Sequence, residues 1–165
     1  MILRDTTRRI EVDISRQQLS LFNHDTVVKQ YLISSAANGV GQQNNSGCTP
    51  LGEHFIRAKI GEGLPINTVF QGRRPTGEIY QMGMREAFPD RDWILTRILW
   101  LCGNQPGYNR LGEVDTMRRY IYIHGSPEEV EMGKIGSKGC IRMRNQDLLE
   151  VFENVNPGCK VMIHE

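Results

Sequence analysis

Hydrophobic and polar residues alternate along the first part of the chain. Apolar side chains stand at every second position from Ile10 to Ile14, and again at Leu19 and Leu21. A period of two is typical of strands that bury one face. The polar segment "NHDT" then predicts a turn, after which "VVKQYLISSA" predicts a third strand. These elements together predict an antiparallel meander.

The middle of the chain is less regular. Residues 37–52 are rich in Gly, Asn and Ser and predict a loop, and "EHFIRAKIG" predicts the next strand. Residues 61–91 are broken by prolines and glycines, so we expect a long excursion that carries short strands. "DWILTRILWL" is apolar on both faces, which favours a central strand. "RRYIYIHG" then predicts a strand that ends at His124.

One helix is predicted near the C-terminal end, in "NQDLLEVFENV". Asn145 is expected to be its N-cap, and Leu148, Phe152 and Val155 form an apolar stripe at helical spacing. "KVMIH" predicts a closing strand. The fold class we predict is therefore mainly β, a sandwich or barrel of mixed strands with one or two helices.

Size and composition narrow the class of protein. A chain of 165 residues suits one domain, which we place at residues 8–164. The net charge of +1 comes from interspersed charges, so we expect no nucleic-acid partner. No apolar run reaches the length of a membrane span. The charged first residues do not resemble a secretory leader, so we expect a cytoplasmic location, or the periplasm and cell envelope if a leader precedes them.

Of the four cysteines, one has neighbours suited to catalysis. Cys102 follows an apolar run and Cys159 enters a strand, which favours inert thiols for both, whereas His124 lies sixteen positions before Cys140. A nucleophilic cysteine acts as the thiolate and needs a base or positive neighbours. His124 would supply the base, with Lys138 and Arg142 as cationic helpers. We therefore expect the thiolate of Cys140 to be favoured at neutral pH.

Other interpretations of these residues remain open. One cysteine and one histidine at this spacing also arise by coincidence. A metal site needs closely spaced ligands, and the chain has no CxxC or HxxxH, so we expect no metal and no cofactor. Tyr120 and Tyr122 alternate with isoleucines and would share a face with His124, as core or groove lining with substrate contact as the lesser alternative. A metal-binding or structural protein without catalysis is a further alternative.

The wider pattern resembles a known family. "IHGSP", a short polar loop and "GSKGCIRM" before an Asn-led helix are similar to the catalytic motif of the L,D-transpeptidases, the YkuD-like peptidoglycan enzymes. The resemblance covers nearly the whole chain. "IEVDISRQQLSLF" resembles the family's opening strands, "CTPLGEHFI" its Thr-Pro-x-Gly segment and "GCKVMI" its closing strand.

This resemblance implies roles for the catalytic residues. Cys140 would be the acylated nucleophile and His124 its base, with the backbone carbonyl of Gly125 orienting the imidazole. The N–H groups of Gly139 and Cys140 would bind the oxyanion. Ser137 would support the loop.

The substrate contacts follow less directly from the resemblance. Arg142 would shape the pocket or bind a substrate carboxylate. Many members have a second histidine where this chain has Lys138, so a role given to that histidine does not transfer. Lys138 and Tyr122 are the remaining candidates for substrate contact.

The family's substrate implies a reaction. Its members cleave a peptidoglycan stem tetrapeptide after the third residue, a diamino acid, and release D-alanine. We expect a cytosolic L,D-carboxypeptidase that trims muropeptides during peptidoglycan recycling. The alternatives are an exported L,D-transpeptidase that forms 3-3 cross-links or exchanges D-amino acids, and a non-catalytic module that binds wall fragments. Carbapenems would acylate Cys140.

Overall fold

The computed structural model describes residues 7–165, and its strands form one closed barrel with a hairpin attached. Strands run in chain order, with two helices and a short 3-10 turn between them. The strands are β1 (Arg8–Asp13), β2 (Gln18–Asn23), β3 (Thr26–Ser34), β4 (Gly52–Ile60), β5 (Thr68–Gln71), β6 (Arg74–Ile79), β7 (Ile94–Gly103), β8 (Tyr122–Gly125), β9 (Ile141–Met143) and β10 (Lys160–His164); the helices are α1 (Met84–Ala87) and α2 (Asn145–Asn154), and the 3-10 turn is Gly112–Val114.

The barrel closes because β7 pairs with β4. The strand order is β4-β10-β1-β2-β3-β9-β8-β7, and the pairing of β4 with β7 joins the two ends. Two pairs are parallel, β1 with β10 and β8 with β9, and the other ladders are antiparallel. The β5–β6 hairpin hydrogen-bonds to the first residues of β7, outside the closed ring. The predicted class, a mainly β fold of mixed strands with few helices, is confirmed.

The alternating pattern of the sequence fills the inside of this barrel. Ile10, Val12, Leu19 and Leu21 are all nearly inaccessible to solvent, while Glu11 and Ser20, which alternate with them, are partly exposed. The predicted stripe of α2 packs into the same core. The core includes Ile10, Val12, Leu19, Leu21, Ile33, Ile56, Leu99, Leu101, Ile123, Ile141, Leu148, Val151, Phe152, Val155, Val161 and Ile163.

Two expectations about local structure are wrong. Strand β8 begins only at Tyr122, because residues 118–120 turn and Tyr120 has a left-handed φ of 57°. Tyr120 is exposed and therefore does not share a strand face with His124. Asn145 is the first residue of α2, whose N-cap is Arg144, and its side chain turns into the core instead of capping the helix.

The long excursion is a folded unit that packs beside β7. Val69, Tyr80, Trp93 and Leu95 form a small buried cluster of their own, in which the Tyr80 and Trp93 rings meet edge to face at 5.1 Å. The short helix α1 lies on this cluster through Met84. In residues 7–165, no helix is both long enough and apolar enough to cross a membrane.

The barrel core generates a test of packing. Leu99 is fully buried at 0% exposure in β7, whereas Leu32 in β3 is 40% exposed. We expect Leu99→Ala to lower the free energy of unfolding by about 2–5 kcal/mol, because it removes buried methyl groups and leaves a cavity. Leu32→Ala, the matched control, should change it by less than about 0.5 kcal/mol. Urea denaturation measures both, and similar losses would contradict this position of the core.

Candidate active site

Strand β8 holds His124 between two neighbouring strands. Its side chain is buried, and the register aligns it with Ile98 of β7 and with Arg142 of β9. Nδ1 lies 2.6 Å from the carbonyl oxygen of Gly125. Because a carbonyl only accepts, Nδ1 carries the proton and Nε2 is free to accept one. Burial lowers the pKa of His124, so the ring is neutral at pH 7.

Cys140 directly precedes β9 and lines the same cavity as His124, which has a volume of about 480 Å³. Its sulfur accepts a hydrogen bond from the Tyr122 N–H at 3.3 Å and donates to the Tyr120 carbonyl at 3.4 Å. The residue is partly exposed, but it packs against the buried ring of Tyr122. Burial raises the pKa of the Cys140 thiol to about 12. The expectation of a favoured thiolate is therefore wrong, because desolvation outweighs the nearby cations.

The loop before Cys140 is held by hydroxyl groups. Ser137 Oγ donates to the Cys140 carbonyl at 2.5 Å and accepts from the Gly139 N–H at 3.2 Å. Thr49 Oγ1 donates to the Gly139 carbonyl at 2.9 Å. The support expected from Ser137 thus has a physical basis. The Gly139 N–H already has an acceptor, unlike the free oxyanion donor that the resemblance implied.

Glycine is required at position 139 by conformation and by space. Its φ of +130° lies in a region that side chains rarely adopt. A Cβ there would lie 3.2 Å from the Ile121 side chain and 3.3 Å from the Cys48 carbonyl. A larger residue would therefore push the nucleophile loop out of place.

Arg142 does not reach the cavity of Cys140, as judged from the described residues that line it. The guanidinium donates to Ser34 Oγ at 2.8 Å, and burial lowers its pKa. It lines a neighbouring cavity of about 150 Å³ together with Arg85 and Asp92. Lys138 is exposed and lines both cavities. Of the two cations expected at the substrate, Lys138 lines the Cys140 cavity and Arg142 lines the neighbouring one.

Three charged residues at the cavity were missed from the sequence: Arg73, Asp92 and Arg119. Arg119 donates to the Cys48 carbonyl at 2.6 Å and to Gly41 O, Gln42 O and Ser46 Oγ at 3.2–3.3 Å, so it holds the loop beside the cavity. Arg73 comes from the excursion and Asp92 directly follows it, in segments where the sequence predicted no chemistry. The one local signal is the pair "GR" between two strand-forming segments, which indicates a tight turn.

A buried amide ties the region around His124 together. Asn145 Nδ2 lies 2.9 Å from the Ser126 carbonyl, and 3.1 Å from both Asn67 Oδ1 and Glu128 Oε1. Its Oδ1 accepts from Thr96 Oγ1 at 2.6 Å. Thr96 has a left-handed φ of 74°, where β7 bulges. Asn145 therefore links the bulge of β7, the base of the excursion and the residue after Gly125.

Close packing at Gly125 shows how tightly this network fits. A Cβ at Gly125 would lie 2.6 Å from the Leu95 carbonyl and would overlap the Asn145 side chain. Backbone atoms of β7 cannot move aside cheaply, so only glycine fits here. Its carbonyl is the group that His124 Nδ1 contacts.

Metal ligands are not clustered in the part of the chain that the structure describes. Residues 7–165 contain no group of three or more His, Cys, Asp or Glu side chains placed to hold an ion. The cavity is lined by the thiol of Cys140 and the imidazole of His124.

Comparison with known proteins places the chain in a family. The model of the L,D-transpeptidase catalytic domain, YkuD, matches residues 7–163. Bacillus subtilis YqjB, whose name assigns it to the L,D-transpeptidases, is 42% identical over 45 residues, which are 27% of this chain and 26% of YqjB. The matched segment is thus about a quarter of that relative.

Solved structures share the fold at low sequence identity. L,D-transpeptidase 3 from Mycobacterium tuberculosis, in complex with a faropenem-derived adduct, has a TM-score of 0.59 at 14% identity, and the match covers 96% of this chain and 60% of that one. A mutant L,D-transpeptidase from Enterococcus faecium has a TM-score of 0.57 at 17% identity, with 96% and 50% covered. This chain spans only part of these neighbours. It belongs to the L,D-transpeptidase catalytic domain family.

The raised pKa of Cys140 generates a test of its protonation state. In a variant with Cys48→Ser, Cys102→Ser and Cys159→Ser, Cys140 is the remaining thiol. We expect its rate of alkylation by iodoacetamide to rise about tenfold per pH unit from pH 6 to 10 without levelling off, because the thiol stays protonated throughout. Mass spectrometry measures the rate, with glutathione as the reference thiol. A plateau below pH 8 would mean a thiolate that is already formed.

The Asn145 network generates a second test. Asn145→Ala should lower the free energy of unfolding by roughly 2–3 kcal/mol, because the Ser126 carbonyl and the Thr96 hydroxyl lose a buried partner. Asn154→Ala, at the exposed end of the same helix, is the matched control and should cost less than about 0.5 kcal/mol. Urea titration of both variants is the measurement. Equal losses would show that the buried amide of Asn145 contributes no more to the free energy of unfolding than an exposed one.

Proposed function

We propose that the protein is a cysteine acyl-transfer enzyme acting on peptidoglycan stem peptides. The observation that carries the proposal is a thiol and an imidazole on one cavity, with the imidazole Nδ1 hydrogen-bonded to the Gly125 carbonyl and Nε2 left as the acceptor. A base of this kind removes the thiol proton during attack and so needs no preformed thiolate. Both shifted pKa values keep the pair neutral across neutral pH.

The proposed first step is acylation of Cys140. The sulfur attacks the carbonyl of the third residue, while Nε2 of His124 takes the thiol proton. The carbon–nitrogen bond to D-alanine then breaks, and the imidazolium returns that proton to the leaving amine. The products are free D-alanine and a thioester between the third residue and Cys140.

For the second step we favour water as the acceptor. Hydrolysis of the thioester needs only access for water, and Cys140 is partly exposed on the cavity. Water attacks the thioester carbonyl, His124 takes one of its protons, and the Cys140 thiol is regenerated. The result is an L,D-carboxypeptidase that shortens a tetrapeptide to a tripeptide. We place this activity in the cytosol, on muropeptides from peptidoglycan recycling.

Transfer to an amine is the second candidate, and one observation favours it. A further cavity of about 380 Å³ adjoins the first, and Arg119, Tyr120, Ile121 and Lys138 line both. A second stem peptide or a D-amino acid could approach the thioester from this side. Its amine would then replace water and give a 3-3 cross-link or an exchanged peptide, which would fit an enzyme in the cell envelope.

A non-catalytic module that binds wall fragments is disfavoured by the same cavity. Binding alone does not require a thiol beside a histidine whose tautomer is set by a backbone carbonyl. The adduct in the M. tuberculosis neighbour supports the proposal that β-lactams acylate Cys140. A carbapenem that adds its mass to Cys140 would therefore exclude the binding module.

Product analysis tests the proposed reaction. The protein is incubated with a stem tetrapeptide, and products are followed by mass spectrometry. We expect tripeptide and D-alanine as the main products. His124→Ala should lower kcat/KM by about 10²–10⁴-fold because it removes the base, and Cys140→Ala should abolish turnover.

Cys102→Ser changes a buried thiol of β7 outside the cavity and should retain activity. Cross-linked dimers or exchanged peptides in excess over tripeptide would replace hydrolysis by transfer. Full activity in Cys140→Ala would refute the acyl-enzyme.

A further inference from the structure

The turn between β5 and β6 holds an arginine in a costly conformation. Gly72 and Arg73 both have positive φ, 54° and 63°, as a two-residue hairpin turn of this type requires. Glycine and asparagine adopt such angles readily, whereas arginine does so against a steric penalty. Strain of this kind is found where a side chain is needed at that place.

The Arg73 side chain lines the Cys140 cavity and lies over two aromatic rings. Its Cζ lies 4.6 Å from the Trp100 centroid and 4.8 Å from the Tyr120 centroid. Its Nη1 donates to the Tyr122 hydroxyl at 3.0 Å. Because the Tyr122 N–H bonds to the Cys140 sulfur, one residue separates this guanidinium from the nucleophile.

The charge of Arg73 is not matched by an acid in the described part of the chain. Its guanidinium contacts a neutral hydroxyl and two rings, which leaves most of its five N–H donors for another group. Arg119 donates its hydrogen bonds to the 41–48 loop. Lys138 is exposed, so a carboxylate bound to Lys138 would stay hydrated. The acid that lines the cavity, Asp92, also faces the neighbouring cavity of Arg142.

We propose that Arg73 is a carboxylate-binding residue, which receives a carboxylate of the substrate with its planar guanidinium above Trp100 and Tyr120. Arginine suits a carboxylate because two parallel N–H groups match its two oxygens. This inference rests on the proposed function, since the cleaved end of a stem tetrapeptide, its third and fourth residues, offers two such groups. One is the C-terminal carboxylate of D-alanine, and the other ends the side chain of a third residue such as diaminopimelate.

A purely structural role predicts different behaviour. If Arg73 only fixes the position of the hairpin by packing on the aromatic rings, its loss weakens binding of every peptide to the same extent. A carboxylate-binding role makes the loss depend on which carboxylate the peptide carries. The two roles therefore separate when residue and ligand are changed together.

The experiment combines three peptides with three variants in a Cys140→Ala background, so that binding is measured without turnover. The peptides are a diaminopimelate tetrapeptide, its C-terminal amide, and a lysine tetrapeptide that lacks the side-chain carboxylate. The variants are Arg73→Asn, which suits the turn conformation, Arg73→Lys, and Arg74→Asn as the matched control. Arg74 is exposed on the same hairpin and does not line the cavity. Calorimetry gives the dissociation constants.

We expect one of the two carboxylate deletions to weaken binding by about tenfold to a hundredfold, and this identifies the bound group. Arg73→Asn should weaken binding of the parent peptide by a similar factor and make that deletion silent. Arg73→Lys should recover part of the loss, and Arg74→Asn should bind as the parent does. In the active protein, Arg73→Asn should lose the same factor in kcat/KM.

Three results would overturn the assignment. Arg73→Asn could weaken binding of all three peptides equally; the deletion penalty could persist in Arg73→Asn and vanish in a further variant of the same background, Lys138→Gln; or none of the peptides could bind. Carboxylate-dependent binding through Arg73 without any turnover of the active protein would refute the proposed reaction and leave the binding site standing.

Discussion

The candidate site depends on the buried carboxamide of Asn145. An amide inside a protein is stable only when its donors and acceptor are paired, and here the partners come from separate parts of the chain: Thr96 in the bulge of β7, Asn67 before the hairpin, and Ser126 after β8. Each of these contacts restricts a strand or loop beside the cavity. One side chain thereby joins the segment that follows His124 to the bulge of β7 and to the loop before the hairpin.

Desolvation gives the thiol and the imidazole their character. In water, a cysteine with cations nearby would be partly ionised, but burial raises the pKa of Cys140 and lowers that of His124, so both prefer the uncharged form. Such a pair holds no preformed thiolate or imidazolium before substrate binds. A protonated thiol reacts slowly with oxidants and alkylating agents. In the proposed reaction, the proton leaves the thiol as the sulfur attacks a substrate carbonyl.

Local patterns predicted the barrel well where burial is periodic, with every second residue buried at Ile10 and Val12 and with helical spacing in the stripe of α2. One buried face imposes such a period on the sequence. They also singled out Cys140 and His124, which line one cavity. They failed for Asn145 and Arg73, whose positions depend on contacts between distant segments and leave no periodic trace. The pKa of Cys140 was misjudged for a related reason, since sequence neighbours reveal charge but not the depth of the sulfur.

The position of β10 has a consequence for how the chain is made. This last strand lies between β1 and β4, and β1 comes at the opposite end of the described residues. Until β10 arrives, both strands carry unpaired backbone edges that any other extended chain could occupy. A polypeptide emerging from the ribosome therefore cannot close its ring early. Its earliest strands must wait, or be shielded, until β10 has been synthesised.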